Sequence, residues 1–229
     1  MKKTILSIII LFSFVINFNV NSHIDHYSNL NYLEYELFRN NKSIGYHKFD
    51  FERKGDNLLV TSEVNFKITK LGVELYKYFA KSEENYEKGV FKSYSSKTKQ
   101  NKKDRYVNIN ADQKEQSLII DGSSYKGKAN KEFIVGTWWN HEIIKSKAQI
   151  SAISGRIIKQ KVTFIGKEQL TINGKKYNAL HFNFSSSDKN LPKEKRLNTD
   201  IWYDENNFLW LKAAFDKQGY WEYRLISYK

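Results

Sequence analysis

From Tyr32 to Tyr228 apolar and polar side chains alternate with a period of two, and the alternation is broken once, by residues 137–155. A period of two places successive side chains on opposite faces of an extended chain, so a sequence of this kind folds by pairing strands. The segment from Leu58 to Thr69 is the clearest. Leu58, Val60, Val64, Phe66 and Ile68 share one face with Ser62, while Thr61, Glu63, Asn65, Lys67 and Thr69 share the other. This is a half-buried antiparallel strand with one wet face. Val73–Glu87 and Leu209–Leu211 are apolar on both faces, which implies that each face covers something.

Turn signals separate the strands. Residues 40–43 read as a hairpin loop, 54–57 and Leu71-Gly72 as turns, and Asn173-Gly174 as a type I′ hairpin turn. Gly45 marks a bulge or a close backbone approach. Lys97–Lys103 reads as a solvated basic loop, and 156–166 and 170–172 as two successive strands. The count reaches roughly a dozen strands at the spacing of sandwiches and barrels. The expected fold class is all-β and mainly antiparallel: a single curved sheet forming an open or partial β-barrel, with one short helix.

That helix is the break. Asn140 is a good N-cap and Glu142 places negative charge in the first turn. Trp139 and Ile144 fall at the two positions of a hydrophobic staple, and Ser154-Gly155 ends the segment. The expectation is a short helix across one end or face of the sheet, with Trp138 pointing toward the sheet.

Residues 1–22 read as a leader rather than as fold. Lys2 and Lys3 precede an apolar run from Ile5 to Ile16, and a polar stretch ends in the small residue Ser22. These are the three regions of a secretory signal peptide, so the expected product is a periplasmic or secreted single β-rich domain, 23–229. The chain has no Cys, hence no disulfide framework. Its burial rests on 15 Phe, 15 Tyr and 5 Trp.

Net charge is +13, or +11 without Lys2 and Lys3. Export argues against nucleic acid as the partner. The excess is lysine, 32 of the 38 basic residues, in a chain rich in Asn and Ile. Two readings remain open: compositional drift, or attraction to an anionic membrane surface or polysaccharide.

Catalytic patterns are absent from the sequence. It contains no G-x-S-x-G elbow, P-loop or dinucleotide fingerprint. Glu63, Glu84, Asp200 and Glu222 are the carboxylates a glycosidase would draw on, but strand carboxylates ordinarily solvate an outer face. His23, Asp25 and His26 cluster near the start. His47, His141 and His181 lie far apart without metal-ligand spacing. No metal or cofactor is expected, and the chain is not read as an enzyme.

Several short features occur together: Tyr35–Gly45, Glu84–Gly89, Thr137–Asn140, Ser154–Arg156, Ile201–Asp204 and Glu222–Leu225. In this order and spacing the chain resembles a family of exported bacterial β-rich proteins known only as a domain of unknown function. The resemblance implies export and a barrel-like domain, and it implies no catalytic residue. The inferred architecture is also similar to that of periplasmic lipid carriers, an analogy of fold alone. Aromatic residues on both strand faces then suggest a groove for an apolar or amphiphilic envelope-derived ligand, with Trp138, Trp139 and Ile144 as candidate contacts. The alternatives are a structural or interaction protein of the envelope without a small-molecule ligand and, last, a hydrolase of envelope material.

Overall fold

Pairing rather than packing governs the structure, a computed structural model that describes residues 27–229. The leader and the cluster of His23, Asp25 and His26 lie outside the described residues. Eight strands form a first meander: β1 (Tyr32–Arg39), β2 (Lys42–Lys54), β3 (Asn57–Lys70), β4 (Val73–Glu87), β5 (Val90–Gln100), β6 (Lys103–Asp112), β7 (Ser117–Gly122) and β8 (Lys126–Asn130). A crossing segment carries the short strands β9 (Ile134–Val135) and β10 (Ala148–Ile150). A second meander follows: β11 (Ile157–Ile172), β12 (Lys175–Ser186), β13 (Asn198–Asp204), β14 (Trp210–Asp216) and β15 (Tyr220–Tyr228).

All fifteen strands belong to one sheet, in the order β8-β7-β6-β5-β4-β3-β2-β1-β15-β14-β13-β12-β11-β10-β9. Each pairing is antiparallel except β9 with β10. The sheet curls without closing, since β8 and β9 remain its two edges. The expected open, curved antiparallel sheet is therefore what forms.

The expected helix over residues 137–155 is reduced to one short 3₁₀ turn. Only His141–Ile144 makes a 3₁₀ turn, although Asn140 caps it as anticipated by accepting from the Glu142 amide at 3.0 Å. The residues that follow enter a ladder instead: Ala148–Ile150 pairs with β11 on one side and β9 on the other. Pairing with distant strands overrides local helical preference here. Two other expectations also change. The basic run 97–103 is largely strand, because Lys97 and Lys99 point out while Thr98 is buried between them. Residues 157–172 are one strand, irregular between Phe164 and Gly166.

The crossing segment fills the curl. Trp139 and Ile143 join the main core with Leu33, Tyr35, Phe49 and Trp210. Val135 and Ile150 join Val107, Ile109 and Ile120 in a second cluster under β5–β7. Two buried glutamines fasten it to β11: Gln149 donates to Gln160 at 2.8 Å, and Gln160 donates to the carbonyls of Ile143 and Ser146.

Gly45 combines the two roles expected of it. It sits beside the irregularity in the β1–β2 register, and a Cβ there would lie 2.1 Å from the Asn65 carbonyl oxygen. Neither backbone can yield without breaking the β2–β3 ladder. Gly45→Ala is expected to cost about 1–3 kcal/mol, the usual penalty for overpacking. A urea midpoint indistinguishable from wild type would show that the two strands can part.

Candidate functional site

The site begins with small residues. Cross-strand register aligns Phe49, Ser62, Ser82 and Ser96 in one inward row, and His47, Val64, Ala80 and Thr98 in the next. Aromatic side chains bound these rows along β2–β4, with Phe51 beyond the first row and Phe66 and Tyr78 beyond the second. Serine and alanine cannot reach across the curled sheet, so a cavity of about 860 Å³ remains above them. The floor is polar and internally bonded in part: the Ser62 and Ser82 hydroxyls lie 2.8 Å apart, and Ser96 and Tyr94 both donate to the Ala152 carbonyl.

Trp138 forms the opposite wall. It adopts a φ of +64°, sparsely populated for a bulky side chain. The Tyr203 hydroxyl holds its carbonyl at 2.9 Å. The kink separates two adjacent tryptophans. Trp138 meets Trp210 and Tyr223 edge-on at 5.5 and 5.8 Å, whereas Trp139 meets Tyr27, Phe51 and Tyr86.

Both ring nitrogens of His47 and Nε1 of Trp138 are shielded from solvent and have no hydrogen-bond partner among the described residues. Each residue lines the cavity. Unpaired buried polar atoms are costly, and sites that bind polar ligand groups carry them. Burial depresses the His47 pKa to about 3, so its ring is neutral at physiological pH. The Tyr223 phenol is pushed up to about 12 by the same cause. Arg156, Lys189, Lys193, Arg196 and Lys217 stand at the mouth. The cavity thus offers aromatic walls, a hydroxyl floor, two unpaired nitrogen-bearing rings and a basic entrance.

Of the sequence candidates, Trp138 lines this cavity. Trp139 does not: it is 1% exposed and donates its indole N–H to Glu84 at 3.0 Å. Ile144 packs against the main core and lines neither cavity described here. His47, Ser82 and Tyr223 were missed. Their signal was parity, since Ser62 already interrupted an otherwise apolar face.

Glu84 corrects the expectation that strand carboxylates face outward. It is buried, accepting from Trp139 at 3.0 Å, Thr137 at 3.4 Å and Tyr86. Desolvation raises its pKa to about 7 despite those donors. It borders a second cavity of about 670 Å³ at the other end of the curl, together with Val90, Phe91 and Phe133. Glu63 and Glu222 are held in ion pairs with Lys81 and with Lys212 and Arg224. Asp200 bonds His181, whose ring stacks on Trp202. Among the described residues no group of three or more His, Asp or Glu is placed to hold a metal ion.

Comparison with known proteins gives three findings. A family model described as a domain of unknown function (DUF6134) matches residues 35–226. No curated protein matches the chain. Among solved structures, the fold is similar to that of a β-barrel-like protein of the domain of unknown function DUF1849 from Brucella abortus. The TM-score is 0.62 at 11% identity, covering 87% of this chain and 97% of that one. A DUF1329 family protein from Desulfovibrio piger aligns over 90% and 88% of the two chains, with 9% identity and a TM-score of 0.20, too low to bear on the fold.

Proposed function

The chain belongs to the DUF6134 family of domains of unknown function, and from that premise we propose that it is an exported binding module that takes an amphiphilic molecule into the open end of its sheet. The observation that carries this reading is the cavity of about 860 Å³ bounded by Trp138, Tyr223 and the serine row. Its volume lies within the range of about 300–1,000 Å³ usual for small-molecule sites. Aromatic walls suit an apolar tail. The unpaired His47 and Trp138 nitrogens suit polar atoms near it, and the basic entrance suits an anionic head. The leader-like residues 1–22 support export and an envelope-derived ligand. The role is capture rather than catalysis.

The test uses a fluorescent fatty acid as probe. Ser82→Leu fills the floor and Trp138→Ala removes a wall. Each is expected to weaken probe binding about tenfold, or about 1.4 kcal/mol. The fraction folded, followed by circular dichroism, is expected to stay near wild type. Unchanged affinity in both variants would remove the reading. Export is tested separately: the mature protein recovered from its source is expected to begin at His23, and an intact Met1 would contradict it.

A further inference from the structure

The β3–β4 hairpin ends in an apolar tip that stands in water. Leu71 is 95% exposed, Val73 61% and Leu75 55%. The turn itself is Leu71-Gly72, both at positive φ (51° and 78°). Asparagine and glycine suit such positions, and a branched apolar residue does not. The comparable turns at 40–41 and 173–174 do begin with asparagine, at φ 49° and 50°. Leu71 is thus disfavoured twice, by its backbone conformation and by its exposure. Neither the fold nor the cavity requires it.

The surroundings of the tip are basic. Lys67, Lys70 and Lys77 lie on the hairpin and are exposed, against one exposed carboxylate between Lys67 and Lys77, Glu74. The β5–β6 turn is fastened alongside, since the Asn101 amide donates to the Lys77 carbonyl at 2.9 Å and Asn101 Oδ1 accepts from the Lys77 amide at 2.7 Å. This brings in Lys99 and Lys102. None of these five lysines forms an ion pair among the described residues.

Alternate turns of a meander share a rim, and cross-links confirm it: Arg39 donates to the Gln218 carbonyl, Ser124 to that of Ser154, and Arg156 to that of Lys195. The mouth rim comprises residues 39–43, 67–77, 97–105, 121–126, 151–157, 186–198 and 215–220. It holds seventeen Lys or Arg against six Asp or Glu. The opposite rim comprises 27–32, 52–58, 84–92, 110–118, 128–134, 140–148, 167–178, 203–210 and 226–229. It holds thirteen against eleven. Lysine itself is shared almost evenly, thirteen on the mouth rim and twelve on the other; the net excess sits at the mouth because arginine gathers there, four against one, and acids are fewer, six against eleven.

We propose that the β3–β4 hairpin is a membrane-contact device: Leu71 and Val73 enter the interface of an anionic phospholipid bilayer while the flanking lysines hold its headgroups. An apolar tip ringed by cations is what such an interface binds, through apolar burial and charge together. The occupant is a lipid surface because the exposed apolar area is a narrow protruding tip, not a broad face that a second protein would cover. Contact at this rim sets the cavity mouth against the bilayer, but the attachment itself does not depend on any ligand in the cavity.

Sedimentation with vesicles tests it. Wild type is expected to bind vesicles of phosphatidylcholine with 30% phosphatidylglycerol, to bind pure phosphatidylcholine at least tenfold less, and to weaken as salt rises. Leu71→Asn installs the residue the turn prefers, so its urea midpoint is expected to be unchanged or higher while vesicle binding falls at least tenfold. Lys70→Glu with Lys77→Glu is expected to abolish the preference for anionic lipid. Ser82→Leu, which fills the cavity, is expected to bind vesicles as wild type does. Equal binding to both vesicle types, or undiminished binding by Leu71→Asn, would overturn the proposal. So would a solution dimer that Leu71→Asn dissolves. Loss of vesicle binding in Ser82→Leu would assign the effect to lipid uptake by the cavity and overturn it as well.

Discussion

Trp139→Ala is expected to lower unfolding free energy by about 3–5 kcal/mol, read from the urea midpoint. The indole ring is 1% exposed and meets Tyr27, Phe51 and Tyr86 with centroids 5.3–5.9 Å away. Truncation leaves a void that these rings, each held by its own strand or turn, cannot collapse to fill. It also removes a donor from Glu84. Trp139→Phe separates the two effects by keeping most of the volume and deleting the N–H, at an expected cost of about 1–3 kcal/mol. That smaller cost is expected to grow with pH, because a charged Glu84 needs the donor more than a neutral one does. A loss below about 1 kcal/mol in Trp139→Ala would mean that the crossing segment is not anchored here.

The second large effect belongs to Glu84 itself. Its pKa stands near 7 in the folded protein against an ordinary 4.5, raised by desolvation. Between those values the folded state keeps a proton that the unfolded state has shed. The carboxyl therefore draws stability down as pH rises from about 4.5 to 7. Glu84→Gln imitates the protonated acid, with an acceptor for Trp139 and an amide facing Tyr86. At pH 4 it is expected to match wild type. At pH 8 it is expected to be more stable by about 3 kcal/mol, the free energy of a shift of this size. The comparison must be between variant and wild type at each pH. His47, with its depressed pKa, gives wild type an opposing slope as pH falls below 6.5, and that slope cancels in the difference. A constant difference across pH 4–8 would show that Glu84 titrates normally.

The strands were legible because alternation is a local property. The Asn173-Gly174 turn and the half-wet β3 follow from residues within a few positions of one another, and most of the sheet from the succession of such hairpins. The crossing segment was not legible, because its residues take their geometry from β11, some ten positions later, and from Glu84, more than fifty earlier. Its cap at Asn140 was readable, but nothing nearby revealed that Ala148–Ile150 had strands to join. Glu84 shares parity with Tyr78 and Tyr86, so its inward direction was present in the sequence. What the parity of one strand could not supply was the set of donors that makes a buried carboxyl tolerable. The cavity likewise required register. Ser62, Ser82 and Ser96 are unremarkable separately and become a floor only when three strands align them.

The order of the sheet also bears on how the molecule is made. β1 and β15 pair at its centre, with Asn31 bonded to the Lys229 carbonyl and Lys229 to that of Tyr32. Most other ladders join neighbours along the chain and can zip as hairpins while synthesis continues. The central seam joins partners nearly two hundred residues apart, so its loop-closure cost is met only after the final strand exists. Assembly therefore ends where the finished sheet is most continuous. A chain lacking β15 is left with two half-sheets, each showing a raw edge. Because Asn31 and Tyr32 lie beside Lys229, the described domain is also suited to circular permutation: joining residues 27 and 229 by a short linker and opening the chain at 101–102 would turn its slowest contact into a local one.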